Sequence, residues 1–336
     1  MKKKALVAMS GGVDSSVCAY LAQKAGYECI GATMRLCGRD FNSTDARDAA
    51  KVCELLGMEH RVFDFSEEFE AEVIARFVDS YERGATPNPC VVCNKYLKFG
   101  LLFDKAKELG CDTIITGHYA RIEDGVLKKA YDLSKDQSYV LWSIPREILS
   151  HIFFPLGCIT KAEARKTAEE QGFVTARKSD SQDICFVPDG DYAAFLERRK
   201  TYPKGDFTDT NGRVLGTHQG IIRYTVGQRK GLGIAFGEPM YVKEKDAKNN
   251  RVVLCRNEEL FGRELTAGNV NWLVPPETEN MRVKAKIRYN QSEQSALVHC
   301  TDTVKVVFDE PQRAIAKGQS VVFYDGDTVL GGGVIE

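Results

Sequence analysis

The fold of the chain is indicated by the stretch Lys4–Ser16, which reads KALVAMSGGVDSS. Residues 4–9 are apolar enough for a buried strand, the serine and glycines interrupt that pattern, and a helical pattern starts at Asp14. Glycines let backbone amides turn toward an anion, the two following serines add hydroxyl donors, and the helix N-terminus adds a positive dipole. The stretch therefore predicts a pyrophosphate-binding turn. A plain glycine turn that joins strand to helix is the alternative.

No lysine follows the glycines, so the stretch is not the GxxxxGK[ST] loop. We therefore expect a phosphate group that is released as pyrophosphate and is not cleaved at its γ position. Asp14 opens the helix, where it can cap the N-terminus or hold Mg²⁺ on the pyrophosphate, and the two roles are compatible.

Through about residue 175, short apolar runs alternate with helical ones. Strands are predicted at Lys4–Met9, Cys29–Met34, Arg61–Phe65 and Thr113–Thr116, and helices at Asp14–Ala25, Thr44–Leu56, Glu67–Tyr81, Val91–Leu109 and Thr160–Gln171. This alternation is typical of an α/β domain, a parallel sheet with helices on both faces. Such sheets bind ligands at the carboxyl ends of their strands.

After about residue 200 the helical period disappears and short β-type segments follow one another. They lie at Gly220–Val226, Met240–Lys245, Arg251–Cys255, Val283–Arg288, Ala296–Cys300, Thr303–Phe308, Ser320–Tyr324 and Thr328–Leu330. We expect two small β-rich domains, the last of them a β-barrel. The predicted domains are residues 1–200, 201–265 and 266–336.

Composition excludes several classes of protein. The 336 residues include 46 basic and 47 acidic side chains, so no global charge attracts a polyanion and any nucleic-acid surface must be local. The apolar run after Met1 is too short for a signal peptide, and none approaches a membrane span. Eleven cysteines, an odd number, favour a reducing compartment. We therefore expect a cytoplasmic protein without a membrane partner.

Further segments narrow the function. They are Asn88-Pro-Cys-Val-Val-Cys-Asn94, Gly117-His-Tyr-Ala120, Lys135-Asp-Gln-Ser-Tyr139, Asp183-Ile-Cys-Phe186 and Tyr224-Thr-Val-Gly-Gln-Arg-Lys-Gly-Leu-Gly233. Together with the Ser10–Ser16 turn, they resemble the tRNA-specific 2-thiouridylases, a family of PP-loop ATP pyrophosphatases. The segments occur in the family's order, and Arg288-Tyr289 and Gln319 extend the resemblance to nearly the whole chain.

The resemblance implies an ATP-dependent sulfurtransferase that makes 2-thiouridine at the wobble position of tRNA. A uracil C2 carbonyl is a poor electrophile, so adenylation must first turn its oxygen into a leaving group, which sulfur then displaces. The implied cofactors are ATP and Mg²⁺. The implied ATP-binding residues are Ala8, Met9, Ser10, Gly11, Gly12, Val13, Asp14, Ser15, Met34 and Gly117. The implied partners are a tRNA with a wobble uridine and a sulfur donor protein or sulfide, and we expect a monomer or weak dimer.

The resemblance also implies that Cys93 and Cys185 are the working thiols, with Asp14 as a third catalytic residue and Asn88, Pro89 and Cys90 at the target base. Cys185 would receive persulfide sulfur, and attack by Cys93 would release it and leave a disulfide. Many family members carry Asp where this chain has Cys90. Three thiols suit a [4Fe-4S] cluster with one open iron, so Cys90, Cys93 and Cys185 are also candidate metal ligands. We favour the cluster, and keep persulfide chemistry and a structural role as alternatives.

The expected tRNA contacts are His118, Lys135, Asp136, Gln137, Lys284, Lys286, Arg288, Tyr289 and Gln319. The sequence itself supports the basic run Arg282–Arg288, because the period of a strand places its four cations on one face. A solvated barrel face is the alternative for that run. For His118 the alternative is a cap at the end of a strand.

Two other functions share parts of this pattern. In amide or argininosuccinate synthesis the adenylated group meets nitrogen, but ligation to nitrogen needs neither Cys93 nor Cys185. A nonenzymatic RNA-binding or sulfur-carrier module would tolerate a degenerate nucleotide site, whereas the Ser10–Ser16 turn is intact.

Overall fold

The structure is a computed structural model of the chain. It describes residues 3–36, 43–179, 184–187, 189–234, 237–301 and 303–336. Asp183 of the predicted Asp183–Phe186 segment lies outside the described residues.

The N-terminal domain is built on a five-stranded parallel sheet, as the sequence predicts. Its strand order is β3-β2-β1-β4-β7. The strands are β1 (Lys4–Ala8), β2 (Glu28–Arg35), β3 (Glu59–Asp64), β4 (Thr113–Ile115) and β7 (Ile152–Phe153). Successive side chains of β1 enter two different cores: Leu6 packs into one, and Ala5 and Val7 pack into the other. Both faces of the sheet are therefore covered.

Several helices cover those faces, and shorter helical turns occur along the rest of the chain. The α-helices are α1 (Val13–Lys24), α2 (Thr44–Leu55), α3 (Ser66–Glu68), α4 (Ala75–Glu82), α5 (Pro89–Cys93), α6 (Leu102–Glu108), α7 (Lys161–Glu170) and α8 (Tyr192–Glu197). Phe69–Ile74 and Asn94–Leu101 are π-helical, and 3₁₀ turns span Ser138–Val140, Arg146–His151, Pro155–Cys158, Ile221–Arg223 and Asn257–Leu260. Helix α7 begins with a capping box, in which Thr160 and Glu163 are bonded reciprocally. Among the described helices none is long and apolar enough to span a bilayer.

The central domain holds a four-stranded sheet of order β10-β11-β8-β9. Its strands are β8 (Gly205–Thr208), β9 (Val214–His218), β10 (Tyr241–Asp246) and β11 (Arg251–Cys255). The strand predicted at Gly220–Val226 is wrong. Gly220 has a φ of 120°, and a 3₁₀ turn follows it. The neighbouring Ile221 and Ile222 are both buried, whereas in a strand with one buried face only one of two successive side chains would be.

Six strands of the C-terminal domain form a closed barrel, as predicted. Their order is β12-β15-β14-β13-β16-β17, and β12 also pairs with β17. The strands are β12 (Phe261–Trp272), β13 (Asn280–Lys286), β14 (Gln294–His299), β15 (Val304–Arg313), β16 (Ser320–Asp325) and β17 (Thr328–Ile335). The predicted boundary between residues 265 and 266 falls inside β12, and the three domain limits stay a prediction.

The barrel is joined to the N-terminal domain by a hairpin and by buried hydrogen bonds. The hairpin of β5 (Ala120–Glu123) and β6 (Val126–Lys129), which the sequence does not predict, adds to the barrel sheet because β6 pairs with β17. Ser320 is central to the contact. Its hydroxyl accepts from Trp142 Nε1 at 3.0 Å, and its carbonyl accepts from the Tyr139 hydroxyl at 2.8 Å.

We expect Ser320→Ala to lower the free energy of unfolding by about 1–3 kcal/mol, because the buried Trp142 N–H loses its acceptor. The measurement is urea unfolding followed by Trp fluorescence. Ser292→Ala, at an exposed serine, is the matched control and should stay within about 0.5 kcal/mol of the parent. Equal losses in the two variants would contradict the importance of this contact.

Candidate active site

The Ser10–Ser16 turn lies between β1 and α1 at the carboxyl edge of the sheet. Gly11 has a φ of 73°, and a Cβ there would overlap the backbone of Asp45. Gly12 is different, because a Cβ there would meet only the Ser10 hydroxyl at 3.5 Å. The turn is therefore closed against α2 on the side of Gly11 and open on the side of Gly12.

The serines of the turn mostly stabilise the turn itself. Ser15 Oγ accepts from the backbone N–H of Ser10 at 3.2 Å and donates to the Gly12 carbonyl at 3.1 Å. Ser16 is fully buried, donates to the same carbonyl at 2.9 Å and lies 2.8 Å from the Thr175 hydroxyl. Ser16 therefore acts as a structural residue here, and the sequence-based expectation that it donates to phosphate is not met by this geometry.

Asp14 is held by residues from distant parts of the chain. Its Oδ1 accepts from the Tyr119 hydroxyl at 3.0 Å and from Lys161 Nζ at 2.7 Å. Asp14 thus lies at the start of α1 and is oriented by two donors. A Mg²⁺ role for Asp14 remains a prediction.

Two lysines supply cations that the turn itself lacks. Lys161 is almost fully buried and pairs with Asp14. Lys178 Nζ donates to the Gly11 carbonyl at 3.0 Å and pairs with Asp45 at 3.2 Å and Asp48 at 2.6 Å. Although burial opposes it, the two carboxylates raise the pKa of Lys178. The sequence analysis missed both lysines, because they lie 147 and 167 residues from their partners in the turn.

The remaining residues of the expected adenosine site surround the turn. Gly117 follows β4, and a Cβ there would lie 3.1 Å from the carbonyl carbon of Asp14 and 3.2 Å from the Ser15 nitrogen. Met34 is half-buried near the end of β2, whereas the side chain of Met9 is part of the core. Met9 therefore has only backbone atoms to offer a nucleotide.

His118 connects this edge to the thiols. It is buried, with Nδ1 2.6 Å from the Thr116 hydroxyl and Nε2 3.3 Å from Lys98 Nζ. Burial, and then the charge of Lys98, hold the pKa of His118 well below its usual value. The ring is therefore neutral, and since the lysine can only donate, Nε2 is the acceptor. The contact with Thr116 agrees with the strand-end alternative, and the tRNA contact stays a prediction.

The thiol helix α5 begins at Pro89 and ends at Cys93. Asn88 caps it by accepting from the Cys90 N–H at 3.1 Å. Cys93 is buried and Cys90 is exposed. The next segment, Asn94–Leu101, is π-helical, a form common at functional sites, and it carries Lys98.

The electrostatics show that the three predicted cysteines and Lys98 share one region. Burial raises the pKa of Cys93 to about 11; the charge of Lys98 opposes this, and the thiols of Cys185 and Cys90 add to it. Although part of Cys90 reaches the surface, desolvation by the atoms packed around its thiol also raises its pKa, again against the charge of Lys98. Lys98 was missed by the sequence analysis, although its position on the helix that follows Cys93 was a usable signal.

The fit of a metal cluster can be tested on the same residues. In the parts of the chain that the structure describes, which include Cys90, Cys93 and Cys185, no three His, Cys, Asp or Glu side chains converge as a metal-binding set. The three thiols lie near one another, but in this arrangement they do not fit a [4Fe-4S] cluster.

Several expected tRNA contacts make bonds within the chain. Asp136 accepts from Ala130 N and from the Ser138 hydroxyl, while Gln137 Oε1 accepts from Tyr119 N. The Gln319 amide donates to the Thr86 carbonyl at 2.8 Å. These side chains therefore stabilise the loops around the site, and their contact with tRNA stays a prediction. Residues 135–137 form a loop before the 3₁₀ turn Ser138–Val140.

The basic run of the barrel alternates as a strand, with Arg282 and Lys284 exposed and Val283 and Ala285 buried. The cations differ in availability. Arg282 pairs with Asp309, and Arg288, beyond the end of β13, donates to the Ala314 carbonyl at 2.7 Å. Lys286 is half-buried, 5.9 Å from the ring centroid of Tyr139, and Tyr289 donates to the Asp136 carbonyl. Lys284 is exposed beside Ser295 and is therefore more accessible than Lys286.

Family models match all three parts of the chain. Residues 3–189 match the tRNA methyl transferase HUP domain, residues 193–256 the tRNA methyl transferase PRC-barrel domain, and residues 262–335 the aminomethyltransferase beta-barrel domain. The first model alone covers more than half of the chain. The class is thus a three-domain protein with an α/β HUP domain followed by two β domains.

Curated relatives define the family within that class. The tRNA-specific 2-thiouridylase MnmA of Clostridioides difficile is 46% identical over 100% of this chain and 99% of its own length. The protein of the same name from Acetivibrio thermocellus is 48% identical with the same coverage. The chain belongs to the tRNA-specific 2-thiouridylase family.

One solved structure with a similar chain is the U34-tRNA thiolase NcsA from Methanococcus maripaludis with its [4Fe-4S] cluster. It is 20% identical, covers 59% of this chain and 67% of its own, and has a TM-score of 0.38. A match at that level supports no inference about this chain's cofactor.

The two glycines of the turn should respond differently to substitution. Gly12→Val should fold with nearly parental stability yet lose most pyrophosphate release from ATP and tRNA, because its side chain enters the open side of the turn. Gly11→Ala should instead lower the unfolding free energy by about 1–3 kcal/mol, because the backbone has a positive φ and Asp45 is in the way. Thermal unfolding and a pyrophosphate assay measure the two effects. Pyrophosphate release at the parental rate by Gly12→Val would contradict a phosphate site in this turn.

Proposed function

We propose that the chain uses ATP to replace the 2-oxygen of the wobble uridine of tRNA with sulfur. The uracil C2 oxygen is adenylated, pyrophosphate leaves, and sulfur delivered through Cys93 and Cys185 displaces AMP. Family membership supports sulfur transfer to a tRNA uridine. The finer steps are our proposal and are supported by the geometry of the site.

One observation carries the proposal: a continuous set of contacts runs from the Ser10–Ser16 turn to the thiols. Gly117 abuts the first turn of α1, the next residue His118 meets Lys98, and Lys98 acts electrostatically on Cys90 and Cys93. A nucleotide at the turn and sulfur at the thiols would therefore approach one another across Gly117 and His118. Adenylation and sulfur transfer require such proximity.

The turn and its lysines suit the first step. The uracil oxygen attacks the α-phosphorus of ATP, and the bond to the bridging oxygen of the β-phosphate breaks. Negative charge collects on pyrophosphate, where the N-terminus of α1 and the ammonium groups of Lys161 and Lys178 can stabilise it. Mg²⁺, bound at Asp14, would supply further charge neutralisation. Ala8, Met34 and Gly117 are proposed to contact the adenosine.

The thiols suit the second step. A donor of sulfane sulfur converts Cys185, which is exposed, into a persulfide. The Cys93 thiolate then attacks the inner sulfur, so that hydrosulfide leaves and a Cys93–Cys185 disulfide forms. Hydrosulfide attacks C2 of the adenylated base, AMP departs, and a dithiol reductant restores both thiols. Lys98 favours the thiolate of Cys93 against the effect of burial.

A [4Fe-4S] cluster is the second candidate for the sulfur carrier. It is favoured by Cys90, a third thiol one helical turn before Cys93, which has no role in the persulfide route. It is disfavoured because the described thiols do not converge as ligands. Anaerobic purification with iron and sulfide quantified would separate the two carriers directly.

The exposed start of the thiol helix is the proposed contact with the RNA partner. We propose that Asn88, Pro89 and Cys90 contact the target base, because they begin the thiol helix beside Tyr289 of the barrel; the Cys90 thiol is among the groups that raise the pKa of Tyr289. Ligation of the adenylated group to nitrogen would leave the Cys90, Cys93 and Cys185 group without a role. The sulfur donor, the set of tRNAs and a cytoplasmic location remain expectations.

Substitutions at Cys90 should identify the carrier. In the persulfide route Cys90→Asp and Cys90→Ala keep most thiolation, and a Cys93–Cys185 disulfide accumulates when reductant is withheld. Cys93→Ala and Cys185→Ala lose thiolation but still release pyrophosphate, because sulfur transfer follows adenylation. Thiolated tRNA, pyrophosphate and the disulfide are each quantified. If both Cys90 variants lose thiolation and also lose bound iron, the persulfide route is contradicted and the cluster is favoured.

The exposed cation of β13 should contribute to RNA binding. We expect Lys284→Ala to weaken tRNA binding and to lower the slope of log affinity against log salt by about 0.7–0.9, the effect of one lost phosphate contact. Binding is measured by filter retention between about 50 and 200 mM salt, a range over which the affinity of a phosphate-contacting protein changes strongly. Lys305→Ala, at a barrel lysine paired with Glu264, is the control. An unchanged slope for Lys284→Ala would favour the alternative, in which this strand is a solvated face of the barrel that does not contact RNA.

A further inference from the structure

The segment Gly84–Thr86, which leads into the thiol helix, is held by all three domains. It follows α4, and the backbone N–H of Ala85 donates to Ser80 of that helix at 2.8 Å. From the central domain, Lys245 Nζ on β10 donates to the Ala85 carbonyl at 3.0 Å. From the barrel domain, the Lys317 carbonyl accepts from Thr86 N at 2.8 Å.

Gln319 completes this set of bonds. Its side-chain amide donates to the Thr86 carbonyl at 2.8 Å, so both backbone polar groups of Thr86 are bonded to the barrel domain. Both backbone polar groups of Ala85 are bonded as well, one to α4 and one to the central domain. Four consecutive backbone groups thus have partners in three different domains.

Lys245 is an unusual residue to find at such a point. It is buried, with 6% of its surface exposed, and its ammonium group lies 5.0 Å from the ring centroid of Tyr81. Burial lowers its pKa to about 8. A long cationic side chain is costly to bury, so its bond to the Ala85 carbonyl at the end of α4 offsets part of that cost.

The chain between this segment and the thiols is stiff. Pro87 and Pro89 have φ fixed by their rings, and Thr86 and Asn88 are each restricted because a proline follows. Asn88 is extended, with φ −109° and ψ 99°, and it caps α5 through its bond from Cys90 N. A displacement of Thr86 would therefore be carried to Cys90 and Cys93 with little chance of local relaxation.

We propose that Lys245 and Gln319 are positioning residues for sulfur transfer. Each β domain holds one carbonyl of the Ala85–Thr86 pair, and through the two prolines they set where Cys90 and Cys93 lie relative to the adenylated base. The inference rests on the proposed function. It gives Gln319 a positioning role in place of contact with RNA, and it gives Lys245 a positioning role in the reaction.

The test uses the full chain with the variants Lys245→Met and Gln319→Met, which remove the donors while keeping side-chain length. The matched controls are Lys243→Met, exposed on the same strand as Lys245, and Gln294→Met, at the start of β14 with its amide donating to Ser292. The readout is the ratio of 2-thiouridine formed to pyrophosphate released at a fixed time in a single turnover. The parent and both controls should give a ratio near one-to-one.

We expect the ratio to fall by roughly tenfold or more in Lys245→Met and Gln319→Met, because a misplacement on the order of 1 Å is enough to slow a positioned reaction strongly. Lys245→Gln restores an N–H donor and should recover much of the ratio. Gln319→Glu has the size of the parent side chain without its donor and should stay low. This pattern of rescue distinguishes positioning from a loss of packing.

Three results would overturn the inference. The first is an unchanged ratio in both donor-free variants. The second is an equal loss of 2-thiouridine and pyrophosphate in Gln319→Met, with their ratio unchanged, which would favour a role of Gln319 in RNA binding. The third is full recovery by Gln319→Glu. If the parent chain released no pyrophosphate from ATP and tRNA, the proposed function itself would fail and this inference with it, so the two failures are distinguishable.

Discussion

The close approach of Gly117 to the first turn of α1 is the constraint on which the site depends. A Cβ at residue 117 would meet the Asp14 carbonyl and the Ser15 nitrogen at 3.1–3.2 Å, so a side chain there would push the end of β4 and the Ser10–Ser16 turn apart by a few tenths of an ångström. His118, Lys98 and the thiol helix then follow at the same edge of the sheet. The sites proposed for the nucleotide and for sulfur are therefore neighbours, because the ends of β1 and β4 meet.

Charge at this edge is arranged from distant parts of the chain. The turn has glycines and hydroxyl groups but no cation of its own, and Lys161 and Lys178 reach it from α7 and from the segment after it. Both lysines are already paired with carboxylates, so an incoming polyphosphate would exchange one set of anionic partners for another. Such an exchange costs less than uncovering a buried ammonium group.

Much of the architecture could be predicted from the sequence, because local pattern and fold agree there. The alternation of strand and helix, the capping box of α7 and the glycine turn that follows β1 all depend on neighbouring residues. Gly220–Val226 was misjudged because its apolar residues resemble a strand, while the left-handed Gly220 turns the chain. The β5–β6 hairpin was missed, since its short strands are stabilised by the barrel they join.

The residues of the candidate site likewise fall into those that the sequence identifies and those that it does not. Motif residues of the turn and of α5 were identifiable because each lies within one short segment. Lys161 and Lys178 were not, because their partners are defined only by the tertiary fold. Lys98 could have been found, because it lies on the helix that directly follows Cys93. The predicted RNA contacts Asp136, Gln137 and Arg288 make bonds inside the chain, a use that a sequence pattern does not reveal.

The central claim is that one uridine is adenylated beside the thiols before sulfur arrives. The most direct measurement is a single turnover with ATP labelled at the α-phosphorus, a tRNA transcript and no sulfur source. The account predicts that the label becomes attached to the wobble uridine and is released as AMP when a sulfur donor is added. Label that stays in ATP, or that appears on the protein or on other nucleotides, would contradict it.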